Sequence, residues 1–168
     1  MKQGPRYIVK TRRRRNGITD YKKRLRLLRS HKTRIVIRKS NKHIQVQFID
    51  YDETGDKIVS SSISKELISK YKWTHSTVST PAAYLTGLLA GKKAADEKIT
   101  EGVLDIGRQV PTKGGVLFAA LKGIVDSGID VPFDEGKIPD EERIKGGHID
   151  DKISQSFEKT KKQITGGK

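Results

Sequence analysis

Arginine and lysine side chains that can bind phosphate are concentrated in the first fifth of the chain. Residues 1–34 carry 14 of the 35 lysines and arginines and one acid, Asp20, so they hold +13 of the formal net charge of +15. The densest run is Arg12 to Arg15. Such a segment repels itself and is stabilised by a polyanion, and nucleic-acid phosphates release counterions when basic side chains bind them. The pattern indicates nucleic-acid binding, with a disordered solubilising tail as the alternative.

Sequence patterns typical of metal and nucleotide sites are incomplete in this chain. It has no cysteine, and its four histidines lack the spacing of metal ligands. The turn from Asp50 resembles a calcium loop, but its twelfth position is Ser61 instead of the bidentate glutamate. Gly87 and Gly91 are one residue too close together for a phosphate-binding P-loop. One enzymatic hypothesis stays open, a nuclease that uses Asp50 and Asp105 as metal ligands.

The basic run continues into a predicted helix. Residues 1–17 contain turn-forming residues and no sustained periodicity, so we expect an arm that becomes ordered on binding. Thr19 is the predicted N-cap of the helix that follows, and Tyr21, Leu25 and Leu28 form its apolar face. No acidic residues are interleaved with the lysines and arginines of this helix. We therefore expect its basic face to contact phosphate.

Alternating polar and apolar residues predict the strands that position these groups. Ile44, Val46 and Phe48 would face a core, whereas His43, Gln45 and Gln47 would lie on an exposed sheet face. Apolar periodicity and turn residues predict strands at 35–37, 43–49, 57–64 and 103–107 and helices at 65–70, 80–98, 116–127 and 150–162.

The order of these elements predicts an α/β (α+β mixed) fold with a small four-stranded mixed sheet and packed helices. The fourth strand follows a long helical crossover, so we expect it to pair in parallel with a neighbour. We predict a basic arm and RNA-binding helix at 1–33, a globular α/β domain at 34–133 and a polar C-terminal extension at 134–168. We expect neither a signal peptide nor a membrane span, because no apolar run is long enough.

Six segments resemble a known family, the L-eighteen family of large-subunit ribosomal proteins, in its archaeal form. The segments are Gly4-Pro5-Arg6-Tyr7, Thr19-Asp20-Tyr21, the run from Arg38 to Ile44, and those at 81–91, 103–107 and 144–149. The resemblance covers nearly the whole chain.

The resemblance implies a structural constituent of the large ribosomal subunit, located in the cytoplasm on the ribosome, and not an enzyme. It implies a ribonuclease-H-like fold without nuclease activity, no cofactor and no small-molecule substrate. The implied partners are 5S rRNA, the large-subunit rRNA to which 5S rRNA is tethered in the central protuberance, and neighbouring ribosomal proteins including the L-five family.

The resemblance also implies RNA contacts from the arm and helix, the polar sheet face and the loop before the last core helix. The residues that match are Arg12, Arg13, Arg14, Arg15, Lys22, Lys23, Arg26, Arg38, Lys39, Asn41, Lys42, His43, Gln45, Gln47, Arg108 and Lys113. Gly115 departs from the family pattern, in which we expect a basic or hydroxyl residue, so only backbone N–H groups would contact RNA there. A polybasic protein that binds membrane surfaces is a further alternative, but no strongly apolar amphipathic helix supports it.

Overall fold

The computed structural model describes residues 4–166, so the first three residues of the predicted arm and the last two residues of the chain lie outside it. Seven α-helices and four strands are present in this range. They are α1 (Arg12–Arg15), α2 (Tyr21–Leu28), β1 (Arg34–Lys39), β2 (Ile44–Asp50), β3 (Lys57–Ile63), α3 (Lys65–Tyr71), α4 (Thr80–Asp96), β4 (Val103–Asp105), α5 (Val116–Asp126), α6 (Glu141–Lys145) and α7 (Asp151–Gly166), with one 3-10 turn at Glu135–Lys137.

The four strands form one mixed sheet in the order β3-β2-β1-β4. β1 and β2 pair antiparallel, as do β2 and β3, whereas β4 lies parallel to β1. The prediction of a small mixed sheet with a parallel fourth strand is therefore confirmed. The parallel pairing follows from the α4 crossover, which returns the chain to the end of the sheet where β1 began.

Helices α4 and α5 cover one face of the sheet and form the core with it. Ile35, Ile37, Val46 and Phe48 point into this core and are fully buried. This is the face that the alternation in β2 predicted to be apolar.

The polar segment after Pro132 closes a second apolar cluster on the outer side of α4. Ile144 of α6 and both Phe157 and Ile164 of α7 are buried there against Leu85 and Leu88. The three apolar side chains are widely spaced in a charged segment, so local composition gave little sign of this packing. The domain boundaries themselves stay a prediction.

Glu66, on α3, connects its own helix with α4 and with the end of β3. Its carboxylate accepts hydrogen bonds from Lys93 on α4 at 2.8 Å and from Lys70 on α3 at 2.8 Å. It also accepts from the Ser62 hydroxyl and the Ile63 N–H at the end of β3. Burial alone would raise the pKa of Glu66, but these hydrogen bonds lower it to about 2. Glu66 is therefore ionised at neutral pH and fixes β3 to both helices.

Several helix ends differ by a few residues from those predicted. Asp20 caps α2 in place of Thr19, and Ser79 caps α4, where its hydroxyl accepts from the Ala82 N–H. The predicted arm contains a helical turn, α1, that its turn-rich sequence did not indicate. Asp and Ser are at least as good as Thr at an N-cap, so adjacent capping residues left the boundary ambiguous.

Candidate nucleic-acid interface

Asp20 and Thr19 together join the arm to α2. The Asp20 carboxylate accepts hydrogen bonds from the N–H groups of Lys22 at 3.0 Å and Lys23 at 3.1 Å. The bond from the Lys23 N–H is the main reason why the pKa of Asp20 is lowered. The Thr19 hydroxyl accepts from the Arg13 Nε at 3.0 Å, so the first turn of arginines is connected to the start of α2. The arm is thereby directed along the surface beside α2.

Helix α2 lies over the sheet face opposite the core, which we call the outer face. Lys23 Nζ donates to the Gly107 carbonyl at 3.0 Å, and the Arg24 guanidinium contacts Asp56 at 2.7 Å. Leu27 lines a cavity of about 300 Å³ between the helix and the sheet. Tyr21 and Leu25, two of the three residues of the predicted apolar face, are 43% and 55% exposed. Basic side chains, and not this apolar face, attach α2 to the sheet.

A series of ion pairs beneath α2 links this helix to β1 and to the loop after β4. Arg34 is almost fully buried and contacts Asp56 at 2.6 Å and Asp105 at 3.2 Å. Arg38 contacts the other oxygen of Asp105 at 3.3 Å and donates to the Asp105 carbonyl at 2.6 Å. The Asp105 carboxylate also accepts from the Gly107 N–H at 2.7 Å. Two acids therefore connect α2, β1 and the loop after β4 into one rigid unit.

A basic groove of about 550 Å³ lies between the arm, the start of α2 and the loop after β4. Its positively charged lining consists of Lys10, Arg14, Lys22, Lys23 and Arg108, with Asp20 as its one acid. The Arg108 guanidinium crosses the backbone of Gly17, where φ is +63° and an added Cβ would lie 2.9 Å from it. Glycine at this position lets the arm approach the loop closely. Four predicted RNA-binding residues are brought together here, and Lys10 was missed because it stands alone in the sequence.

A second groove, of about 530 Å³, separates the β1–β2 hairpin from the loop after β4. Lys39 and Asn41 line one wall, and Arg108 and Thr112 line the other. The Gln109 amide donates to the Lys39 carbonyl at 3.3 Å and holds the two walls together. Arg108 thus borders both grooves, and the two form one continuous surface around it.

The outer sheet face is less open than the sequence predicted. Gln45 is exposed, but Gln47 is only half-exposed and lines the cavity under α2. His43 is half-buried, with its Nδ1 3.4 Å from the Ser64 hydroxyl. Strand alternation correctly placed these side chains opposite the core, but alternation contains no information about a helix that covers that face from elsewhere in the chain.

The remaining predicted contacts are scattered around these grooves. Lys42 is exposed at the hairpin, Arg26 is exposed on α2, and Lys113 is exposed in the loop before α5. The other arginines of α1 are also exposed, and that helix buries no residue.

The two glycines before α5 form a turn and not an open phosphate cradle. The Gly114 N–H donates to the Lys137 carbonyl at 2.9 Å, and the Gly115 N–H donates to the Thr112 carbonyl at 3.0 Å. These amides are already hydrogen-bonded within the protein, which favours the interpretation of Gly114-Gly115 as a structural turn.

The acids considered for a nuclease have structural contacts instead. Asp105 is paired with two arginines, and Asp50 accepts from the Thr33 hydroxyl at 2.7 Å. Within residues 4–166, no three acidic or histidine side chains form a cluster that could hold a metal ion. In the same range, no helix is long and apolar enough to cross a membrane.

Comparison with known protein families gives one match that covers more than half of the chain. The family is described as "Ribosomal large subunit proteins 60S L5, and 50S L18", and its profile matches residues 5–102. The matched range contains every strand except β4 and every predicted site residue except Arg108 and Lys113.

Three curated archaeal relatives extend the similarity to most of the chain. Each is called "Large ribosomal subunit protein uL18" and aligns over 149 residues, which is 89% of this chain. The relative from Methanococcoides burtonii is 54% identical over 86% of its own length. Those from Korarchaeum cryptofilum and Aeropyrum pernix are 52% and 45% identical over 76% and 70% of their lengths.

Proposed function

The chain belongs to the uL18 family of large-subunit ribosomal proteins, and on that premise we propose that it binds 5S rRNA and tethers it to the large rRNA. Its role is then structural and not enzymatic. The central protuberance is the proposed location on the cytoplasmic ribosome, with a protein of the L-five family as a neighbour.

The observation that carries this proposal is the continuous surface around Arg108. The arm, α2, the hairpin and the loop after β4 all border this surface and come from separate parts of the sequence. Because the Arg108 guanidinium crosses the backbone of Gly17 and Lys23 bonds to Gly107, contacts within the protein hold the arm, α2 and the loop after β4 together. A preformed basic surface loses less conformational entropy on binding than a disordered tail does.

The residues on this surface divide by the kind of RNA contact that each can make. The arginines of α1 with Lys22, Lys23 and Arg108 neutralise phosphates, which supplies affinity and strong salt dependence. Asn41 and Gln45 are exposed, neutral and able to donate and accept hydrogen bonds. We assign to these two the recognition of base edges and 2′-hydroxyl groups, which distinguishes one RNA from another. Gln47 and His43 make a smaller contribution because they are partly covered.

The test compares binding of 5S rRNA and of an equal mass of tRNA over a series of salt concentrations. We expect 5S rRNA to stay preferred after salt has removed non-specific binding, because the shaped surface recognises more than charge. Simultaneous release of both RNAs would refute the proposal. Arg108→Gln should weaken 5S rRNA binding and lower the slope of log K against log salt by roughly 0.7–0.9, the effect of one phosphate contact.

Arg143→Gln is the matched control for this substitution. Arg143 is exposed on α6, outside both grooves, so its loss removes the same charge without touching the proposed surface. Equal weakening by the two variants would mean that only total charge is recognised.

A further inference from the structure

A third polar groove, which we call the α3–α7 groove, lies away from the surface around Arg108. Its volume is about 400 Å³, and it separates the C-terminal end of α3 and the loop after it from helix α7. Its polar lining consists of Lys70, Lys72, Thr74, Ser156, Lys159 and Gln163. Half-buried Tyr71 and buried Trp73 and Thr160 complete the lining.

The α3–α7 groove shares no lining residue with the two grooves around Arg108. Helix α2 covers the outer face of the sheet, whereas α4 packs on the other face, where Phe48 is buried. Helix α7 packs on the outer side of α4, through Phe157 and Ile164. Helix α7 and the end of α3 thus form a groove of their own, and the loop after α3 connects it to the hairpin, where the Thr77 hydroxyl donates to the Lys42 carbonyl at 2.6 Å.

The chemistry of the α3–α7 groove is that of a phosphate and ribose contact. Three of the lining residues are lysines and none is acidic. Lys70 is already paired with Glu66, but within the described part of the chain neither Lys72 nor Lys159 contacts an acid. Exposed Thr74 and Gln163 add neutral hydrogen-bonding groups between the charges. Lysines mixed with hydroxyl and amide groups are the side chains that contact nucleic-acid backbones.

Lys72 has a backbone conformation that favours glycine. It follows α3 with φ of +55° and ψ of +37°, in the left-handed region where glycine usually ends a helix. A lysine in this conformation costs roughly 1 kcal/mol relative to glycine. Lys72 is exposed and lines the groove, so glycine can replace it without straining the backbone.

We propose that the α3–α7 groove binds the phosphodiester backbone of a second RNA segment, while the surface around Arg108 binds 5S rRNA. The inference rests on the proposed function, because it assigns the second contact of the tether to particular residues. Lys72 and Lys159 supply the charge, and Thr74, Ser156 and Gln163 bond to phosphate or ribose oxygens. The protein then holds two RNA segments at two separate grooves.

A two-step capture experiment tests the proposal with full-length protein. Immobilised 5S rRNA first binds the protein, and the complex is then titrated with an archaeal large-subunit rRNA transcript. We expect the double variant Lys72→Gly/Lys159→Gln to bind 5S rRNA as wild type does and to lose about tenfold in the second step. The salt slope of the second step should fall by roughly 1.4–1.8, the effect of two phosphate contacts. Lys72→Gly should leave the melting temperature unchanged or raise it, because it relieves strain.

Lys98→Gly is the matched control for the substitution at Lys72. Lys98 is also an exposed lysine in the left-handed region, with φ of +62°, and it does not line the groove. We expect it to leave both steps unchanged. The proposal is overturned if the double variant captures large rRNA as well as wild type does, or if Lys98→Gly loses as much as Lys72→Gly. It is also overturned if the double variant loses 5S rRNA and large rRNA equally. Failure of wild type to prefer 5S rRNA, or to capture large rRNA at all, would instead refute the proposed function.

Discussion

At the scale of single residues, arginines near the start of the chain have two different roles that their sequence does not distinguish. Arg24, Arg34 and Arg38 contact Asp56 or Asp105, so part of the basic charge holds the fold together. Those acids lie 22 to 71 positions further along the chain than Arg34. Local patterns carry no information about such distant pairing. The family resemblance implied Arg38 as an RNA contact, and the structure shows that Arg38 is also bound to Asp105.

Asp56→Asn should loosen α2 and destabilise the protein by about 1–3 kcal/mol. The substitution removes the charge that Arg24 and the buried Arg34 both contact, and leaving a buried charge poorly paired is costly. Burial alone would raise the pKa of Asp56, but hydrogen bonds from Arg24 and Arg34 lower it below its ordinary value of 3.8. The contribution of Asp56 to stability is therefore complete above that value and is lost as the pH falls below it. Amide exchange of residues 21–28 and urea unfolding at neutral pH measure the two effects.

Glu53→Gln is the control for Asp56→Asn, because Glu53 is an exposed acid in the same turn. If amide exchange in α2 is as slow in Asp56→Asn as in Glu53→Gln, Asp56 has no role in positioning the helix.

At the scale of elements, α4 and α5 pack so closely that glycine is required where they cross. A Cβ added to Gly87 would lie 2.0 Å from the Ala120 carbonyl oxygen, and one added to Gly123 would lie 2.2 Å from the Tyr84 carbonyl oxygen. Both obstacles are backbone atoms, so rotation of a side chain cannot relieve the clash. The two helices form much of the core that supports the sheet and, through it, the RNA surface.

Gly87→Ala should therefore lower the free energy of unfolding by about 1–3 kcal/mol, although alanine favours a helix more than glycine does. The free-energy cost of the clash exceeds the gain in helix propensity, because the two helices must move apart to admit a methyl group. Thermal unfolding followed by circular dichroism measures the change. Gly147→Ala is the comparison, since its added Cβ would have no neighbour closer than 3.6 Å. Equal melting temperatures for the two variants would show that the crossing tolerates separation.

Elements with a clear hydrophobic periodicity could be predicted from the sequence, but the contacts between elements were harder to predict. Alternation gave the core side of β2, where Ile44, Val46 and Phe48 are buried. Periodicity also predicted an apolar face on α2, and two of its three residues, Tyr21 and Leu25, are exposed. An eight-residue helix that buries no residue is positioned by the ion pairs and hydrogen bonds of Lys23 and Arg24, and such contacts leave no periodic trace.

At the scale of the whole molecule, nearly all of the net positive charge is concentrated near the start of the chain. Residues 1–34 carry +13, and the other 134 residues are nearly neutral, with 21 basic and 19 acidic side chains. The α1 helix buries no residue, so the arm adds charge to the proposed RNA surface without contributing to the core. Residues 1–17 should therefore contribute to RNA affinity and little to the stability of the fold.

Deletion of residues 1–17 should separate these two properties. The deletion removes seven basic residues and no acid, so RNA binding should weaken and the slope of log K against log salt should fall by roughly 3–6. The melting temperature should stay within about 2 °C of wild type, because surface changes away from the core have small effects. Replacing Arg12 to Arg15 by glutamine in the full-length chain removes charge without removing backbone, so it should reproduce roughly half of the loss in slope. An unchanged slope in both variants would mean that the arm makes no phosphate contacts and that the folded part of the protein supplies the affinity.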